Sequence, residues 1–208
     1  AGTMGKEENK EMEFWTQEEF QAFLECVADK PISYYAFEML YWTGIREGEL
    51  LALTPADFNF EKKTLRINKS YQRLEGKDVI TDPKTPKSNR TIVMPDFLAV
   101  EMENFISSLY GIKDGDRIFT ISKSYLHHKM DRGAKLAGVK RIRIHGLRHS
   151  HISLLINLGF SALAIGERVG HEAVDITYHY AHLFPTVQTD MAAQLETERE
   201  ALINVRKE

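Results

Sequence analysis

The hydrophobic residues of this chain change their spacing twice, and that change is the strongest constraint on its fold. From Phe20 to Leu53 apolar residues recur at helical spacing, interrupted only by short polar breaks. Between Thr64 and Met94 the spacing shortens to the two-residue period of strands, and helical spacing returns from Asp96 onward. This order predicts an α+β fold, in which a mostly helical domain carries a small three-stranded antiparallel sheet.

Capping and turn residues mark the ends of the predicted elements. Thr16 and Glu19 form a capping-box pattern before the first helix, and Pro31 is interpreted as the stop of that helix. Gly138 and Gly159 stand where helix C-caps belong. The predicted strands are Thr64–Leu74, Asp78–Asp82 and Arg90–Met94. The later predicted helices are Ser33–Tyr41, Glu47–Leu53, Asp96–Tyr110, Ser122–Ala137, His145–Leu158, Ser161–Val169, and Thr186 to about Arg199.

The chain of 208 residues is interpreted as a linker, one main domain and a tail. Residues 1–13 read as a tag remnant and linker, residues 14–185 as the main domain, and residues 186–208 as a C-terminal tail helix. No apolar run approaches the roughly 20 residues that a membrane span requires. Cys26 is the only cysteine, which excludes an internal disulfide and favours a cytoplasmic setting.

Charge is distributed unevenly along the chain. The net charge is −3, and acidic residues dominate between Met4 and Lys30. From Lys123 to Arg148 basic residues dominate instead, with Asp131 as the one acid. Because a polyanion can be bound by one basic face while the rest stays acidic, this distribution permits nucleic-acid binding without requiring it.

Residues suited to phosphodiester chemistry occur in five places, each of which has an ordinary structural explanation when taken alone. They are Arg46, Lys84, the run from His145 to His149, His171 and Tyr180. The four-residue spacing of His145 and His149 suits a metal, but zinc motifs of this kind place a Glu between the histidines. In this chain Arg148 lies between the two histidines in place of a Glu, and its charge would repel a cation. The sequence therefore predicts no metal and no cofactor.

The order and spacing of these motifs resemble those of the tyrosine recombinases. The similar segments are Thr43–Leu50, His145–His149, Val169–His171 and Tyr180, nine residues further on. Residues Asp82 to Ile92 are similar to the lysine-bearing β-hairpin of integrases from temperate phages and conjugative transposons. The resemblance covers roughly Phe14 to Leu195 and implies a DNA recombinase that needs neither ATP nor metal.

The resemblance assigns two arginines and two histidines to the scissile phosphate. Arg46 and Arg148 match the phosphate clamp, a role that suits guanidinium groups because they pair bidentately with phosphate oxygens and stay charged. His145 and His171 match the accessory positions that add hydrogen bonds. His145 is also expected to accept the phenol proton of the nucleophile.

Tyr180 matches the nucleophile, which would form a 3′-phosphotyrosyl bond with DNA. The pattern places it three residues after Thr177 and two before His182, which favours it over Tyr178. Lys84 matches the general acid that protonates the departing 5′ oxygen.

Further basic residues are expected to contact the DNA backbone. They are Lys87, Arg90, Lys140, Arg141 and Arg143, in addition to the two clamp arginines. The expected partners are double-stranded DNA, three further copies of the protein joined through the tail helix, and possible directionality or host bending factors, all in the bacterial cytoplasm. The family's N-terminal DNA-binding domains are expected to be absent from this chain.

Three other functions compete with this interpretation. A type IB topoisomerase shares a similar pocket and phosphotyrosine but relaxes DNA without a partner. A non-catalytic DNA-binding regulator would not require a tyrosine beside two histidines and two arginines. A metal-dependent hydrolase would depend on a bound ion and would be exposed by a chelator.

Overall fold

The computed structural model describes residues 13–82, 88–171 and 173–183, together with positions 192, 195–197 and 199. Its helices are α1 (Gln17–Val27), α2 (Pro31–Thr43), α3 (Glu47–Ala52), α4 (Asp96–Ser108), α5 (Lys123–Ala137), α6 (Ile144–Asn157), α7 (Ala162–Val169) and α8 (Ala173–Tyr180). Its strands are β1 (Phe58–Asn59), β2 (Thr64–Ile67), β3 (Ser70–Leu74), β4 (Lys77–Thr81) and β5 (Arg90–Val93). The tail helix predicted over 186–199 lies largely outside the described residues. No helix within the described ranges is long and apolar enough to cross a membrane.

The predicted α+β class is confirmed, but the strands are arranged differently from the prediction. The segment predicted as one strand, 64–74, divides at Asn68 and Lys69 into β2 and β3. The ammonium group of Lys69 lies 2.6 Å from Asp57 Oδ2, in a partly buried ion pair at the point where the chain leaves the first sheet. The three-stranded antiparallel sheet has the order β1–β2–β5, while β3 and β4 form a separate hairpin. The short β1 was not predicted.

The first two helices begin and end at capping residues. Both halves of the Thr16–Glu19 capping box are present at the start of α1. Pro31 does not merely end α1, as predicted, but opens α2 at its first turn, where a missing N–H costs nothing. Gly44 ends α2 with a φ of 65°, and a Cβ there would lie 2.6 Å from His151 Cδ2. A larger residue is therefore excluded at the point where α2 meets α6.

Two hydrophobic clusters make up the interior. The larger one joins α1 to α5 and the sheet, and Trp15, Phe23, Phe37 and Phe119 are among its fully buried members. The smaller one lies where α6, α7 and α8 meet and consists of Ile152, Ile156, Ile165, Val169, Ile176 and Tyr180. Tyr180 therefore belongs to the smaller cluster and not to the main core.

Helix α6 lies at the centre of the fold and is buried along most of its length. Trp15 ties the start of the described chain to it, because the Trp15 backbone N–H donates to Ser150 Oγ at 2.9 Å and its indole donates to the Lys140 carbonyl at 2.7 Å. At Gly146 a Cβ would lie 2.9 Å from the Glu13 carbonyl. The segment before α1 therefore packs directly on the helix that carries His145 and Arg148.

Candidate active site

A cleft of about 1040 Å³ brings the sequence motifs together. One wall is formed by the start of α3 and by the β3–β4 hairpin, and the other by α5, the start of α6 and the turn before α8. The lining residues include Arg46–Glu49, Lys69–Gln72, Thr81, Asp82, Lys123, His127, Arg143–His145, Gly170, His171 and Asp175. Three of the predicted catalytic residues, Arg46, His145 and His171, thus face one cavity.

Arg46 is oriented by a buried carboxylate. Its Nη1 donates to Glu49 Oε1 at 2.8 Å, and its backbone N–H donates to Glu49 Oε2 at the same distance. Arg90 forms a bidentate pair with the same carboxylate, at 3.1 and 3.0 Å. Burial raises the pKa of Glu49, but hydrogen bonds and charge from the two arginines outweigh it, and the pKa lies below its usual value. The carboxylate is therefore ionised and holds the Arg46 guanidinium at the cleft.

The expectation that Arg90 contacts DNA is not supported by its position. Its side chain is only 6% exposed, because Nε donates to the Arg168 carbonyl at 2.9 Å and both terminal nitrogens bind Glu49. A guanidinium with these buried partners is not presented to a DNA backbone. Arg90 instead links β5 to α3 and α7 behind the cleft.

Arg148 is buried between the Thr43–Leu50 and Val169–His171 segments. Its side chain donates to the Gly44 carbonyl at 2.6 Å and also to the Val169 carbonyl. Its Nε has no hydrogen-bond partner among the described residues. Burial and the charge of Arg46 lower its pKa to about 9. A buried cation with an unused donor is poised to bind an anion.

The two accessory histidines are neutral in this environment. Burial, followed by the charges of Arg148 and Arg46, lowers the pKa of His171 to about 4. The same causes lower the pKa of His145, which opens onto the cleft. Both rings can therefore donate one hydrogen bond at neutral pH without adding to the charge of the arginines.

Tyr180 lies behind the cleft wall rather than in it. Its side chain is 3% exposed, and its Oη forms a hydrogen bond with Nδ1 of His149. Burial raises the pKa of the phenol, while the charge of Arg148 acts in the opposite direction. Tyr178, the alternative considered for the nucleophile, is 82% exposed.

The basic residues predicted to contact DNA lie in different places and have different partners. Arg143 lines the cleft. Lys140 is exposed with its ammonium group 5.7 Å from the ring of Phe14, and Arg141 pairs with Asp131 at 2.7 Å. Lys84, predicted as the general acid, and Lys87 lie outside the described residues.

Two residues near the site were not identified from the sequence. Arg168 donates from Nε to His151 Nε2 at 3.0 Å, and its terminal nitrogens donate to the carbonyls of Val93 and Trp42 at 3.0 and 3.2 Å. His151 is fully buried, and burial lowers its pKa to about 3. Their signal was weak because Arg168 precedes the Val169–His171 motif and His151 follows the His145–His149 motif without belonging to either.

His149 was singled out from the sequence only within the His145–His149 run and as a possible metal ligand, and its ring contacts those of His145 and Tyr180. In the part of the chain that the structure describes, no group of three or more His, Cys, Asp or Glu side chains is placed to hold a metal ion. The ring of His149 lies 4.8 Å from that of His145 and 5.8 Å from that of Tyr180, measured between centroids.

The fold is that of tyrosine recombinase catalytic domains. The Tn1549 transposon integrase (aa 82–397), solved in complex with circular intermediate DNA, aligns with a TM-score of 0.73 and 23% identity over 92% of this chain and 68% of its own. The catalytic domain of the bacteriophage HP1 integrase aligns with a TM-score of 0.63 and 19% identity over 88% of this chain and 95% of its own.

Sequence comparison shows the family. Residues 13–186 match the phage integrase family, and the chain belongs to it. The ICEBs1 integrase of Bacillus subtilis is 31% identical over 202 residues, covering 90% of this chain and 55% of that protein. The integrase of Staphylococcus phage L54a is 31% identical over 179 residues, covering 77% and 51%. The chain thus spans about half the length of these relatives.

Proposed function

We propose that this chain is the catalytic domain of a site-specific recombinase that cuts and rejoins double-stranded DNA to integrate and excise a mobile element. The observation that supports this most directly is the arrangement around α6. Arg148 is buried within electrostatic reach of both Arg46 and Tyr180, so a bound phosphate and a nucleophile would share one cationic site. Relatives from a phage and a conjugative element are named integrases, which supports the same reaction.

The proposed reaction uses the two arginines as the electrostatic catalyst. Arg46 at the cleft wall and the free Nε of Arg148 behind it would bind non-bridging oxygens of the scissile phosphate. As the phenol attacks, negative charge increases on these oxygens, so the guanidinium groups stabilise the transition state more than the ground state. His145 and His171 would add neutral donors. Because fixed cations supply this charge, the reaction is proposed to require no metal or other cofactor.

Attack by Tyr180 forms a phosphotyrosyl bond to the 3′ side and releases the 5′ oxygen. Lys84, the proposed general acid, protonates that oxygen, a role worth roughly 10²–10⁴ in rate. The phosphotyrosyl ester conserves the energy of the broken phosphodiester bond, so a 5′-hydroxyl can attack it and release Tyr180 without ATP. Attack by a hydroxyl from a second duplex completes the strand exchange.

The proposed partners follow from the same reaction. Double-stranded DNA would lie against the cleft, with Arg143, Lys140 and Arg141 near its backbone, and Lys87 is proposed as a further backbone contact. Exchange between two duplexes requires four copies, and residues 186–208 are proposed to join neighbouring copies. Directionality or host bending factors would act on this assembly, in the bacterial cytoplasm and on DNA.

The test is a suicide substrate, which is a nicked duplex carrying the end of the encoding element, incubated with EDTA. We expect a covalent protein–DNA band with the wild type and with Tyr178→Phe, and none with Tyr180→Phe. A band that persists in Tyr180→Phe would overturn the nucleophile assignment. Cleavage that requires added metal and leaves no covalent band would favour a hydrolase. Relaxation of plasmids without the element's end would favour the topoisomerase alternative.

A further inference from the structure

The hydrogen bond between Tyr180 and His149 assigns a role that the family resemblance gave to another residue. We propose that His149 is the group that accepts the phenol proton when Tyr180 attacks DNA. The inference rests on the proposed function, because it concerns a step of that reaction. In the described residues the phenol contacts His149 Nδ1, whereas His145, the residue expected to act as the base, lines the cleft and contacts the His149 ring.

The direction of the hydrogen bond follows from the protonation states of its partners. Burial raises the pKa of the phenol, so Tyr180 keeps its proton at neutral pH and donates it. Burial, followed by the positive charges around the ring, lowers the pKa of His149 to about 4, so the imidazole is neutral. A neutral imidazole that accepts at Nδ1 carries its own proton on Nε2. The pair is therefore already arranged for transfer of the phenol proton to nitrogen.

The position of His149 suits a base that works between a buried phenol and the cleft. Residues 145 and 149 are one turn apart on α6, and their rings meet edge to face. Tyr180 reaches His149 from α8, with the two ring centroids 5.8 Å apart. His149 therefore contacts both the buried phenol and the histidine that lines the cleft.

Charged neighbours make this base dependent on bound DNA. The titratable and charged groups that face His149 are His145 and Arg148 on α6, and His179 and Tyr180 on α8. The charge of Arg148 opposes protonation of His149. A phosphate bound to Arg148 compensates that charge, and so strengthens His149 as a base only when the substrate is in place.

The balanced step is as follows. The O–H bond of Tyr180 breaks and its proton moves to Nδ1 of His149, while the phenolate oxygen forms a bond to phosphorus. The bond from phosphorus to the 5′ oxygen breaks, and that oxygen receives a proton from the proposed general acid. In religation a 5′-hydroxyl gives its proton to the deprotonated general acid and attacks phosphorus, the bond from phosphorus to the Tyr180 oxygen breaks, and the departing phenolate recovers its proton from His149.

Two substitutions separate proton acceptance from simple positioning. His149→Asn places an amide oxygen near the position of Nδ1, so it can accept the hydrogen bond but not the proton. His149→Ala removes both properties and leaves space for added imidazole. His128→Asn, at an exposed histidine of α5, is the matched control. Each protein is first checked for its melting temperature and for binding to the nicked duplex, and the Asn variant keeps the test valid if the Ala variant does not fold.

The measurement is the single-turnover rate of covalent adduct formation on the nicked duplex, from pH 6 to 9. At neutral pH we expect a loss of roughly 10²–10⁴ in both His149 variants and wild-type rates in the His128 control. In the variants the rate should rise about tenfold per pH unit, since hydroxide must replace the base, and imidazole should restore the Ala variant.

Three results would overturn the assignment. If His149→Asn reacts at the wild-type rate, the histidine only positions the phenol. A His149→Ala variant that reacts faster than the wild type would show that the contact is a resting-state restraint. If the wild type forms no adduct, the proposed function fails and the base with it, whereas adducts at equal rates in all proteins reject the base alone.

Discussion

Replacing Glu49 by Gln removes a negative charge that lies between two guanidinium groups. The side chain is 5% exposed, and its oxygens accept from Arg90 at 3.0 and 3.1 Å and from Arg46 at 2.8 Å. The substitution keeps the shape but leaves the buried Arg90 cation uncompensated. Breaking such a pair costs about 3–5 kcal/mol, and we expect the lower end because Arg46 is 34% exposed to water.

Urea denaturation at pH 7 measures this loss in the free energy of unfolding. With a denaturant slope of about 2 kcal/mol per molar, the midpoint should fall by roughly 1.5 M while the slope stays constant. Glu61→Gln, at an exposed carboxylate before β2, is the control and should change stability by less than about 0.5 kcal/mol.

A second variant tests whether the cost comes from the stranded Arg90 cation. Combining Glu49→Gln with Arg90→Met should cost at least about 1 kcal/mol less than the sum of the single substitutions, because the double variant buries no unpaired charge. A single Glu49→Gln variant as stable as the Glu61 control would refute the reasoning. Additive losses in the double variant would also refute it.

The remaining predictions concern pH and three anchoring contacts. The pKa of Glu49 is lowered on folding, so its protonation should remove its stabilisation as the pH falls below about 4.5. Acid unfolding of the wild type should therefore begin at a higher pH than the number of its carboxylates alone suggests. Burial raises the pKa of Glu38 to about 7, so its contribution to stability is present below about pH 4.5 and is lost as the pH rises to 7; Glu38→Gln should flatten the curve of stability against pH by on the order of 2 kcal/mol. Arg168→Lys loses the fork that reaches His151 and two carbonyls, and should lower the free energy of unfolding by about 2 kcal/mol in urea. Trp15→Phe loses one indole hydrogen bond and should cost about 1 kcal/mol by the same measurement.

The sequence could predict which residues surround the cleft, but not all of their partners. Arg46, His145 and His171 were identified by motif order, and all three line the same cleft. The pairing of Arg90 with Glu49 joins residues 41 positions apart, so its burial follows from tertiary packing that no local pattern records. The contact of Tyr180 with His149 likewise depends on how α8 packs against α6.

Helix α8 and the division of residues 64–74 into two strands were not predicted, and each has a physical reason. Helix α8 was not predicted, because Val174, Ile176 and Thr177 are β-branched and weaken the helical signal in a short segment. Its helical form depends on packing against α7. The split of 64–74 into two strands was missed because Lys69 looks like an ordinary outward-facing strand residue until Asp57 is placed beneath it.

The small cluster that contains Tyr180 has a consequence for the dynamics of this residue, the proposed nucleophile. Within α8 only Ile176 and Tyr180 are buried, so lifting this helix exposes two large side chains rather than the main core. At about 1.5–3 kcal/mol for each side chain, detachment costs roughly 3–6 kcal/mol. The amides of α8 should therefore exchange with solvent deuterium well before those of α2, through openings that leave most of the protein folded. Between roughly one molecule in 10² and one in 10⁴ would have α8 detached at any moment, with Tyr180 away from His149, so the docked pair is the dominant population of a local equilibrium.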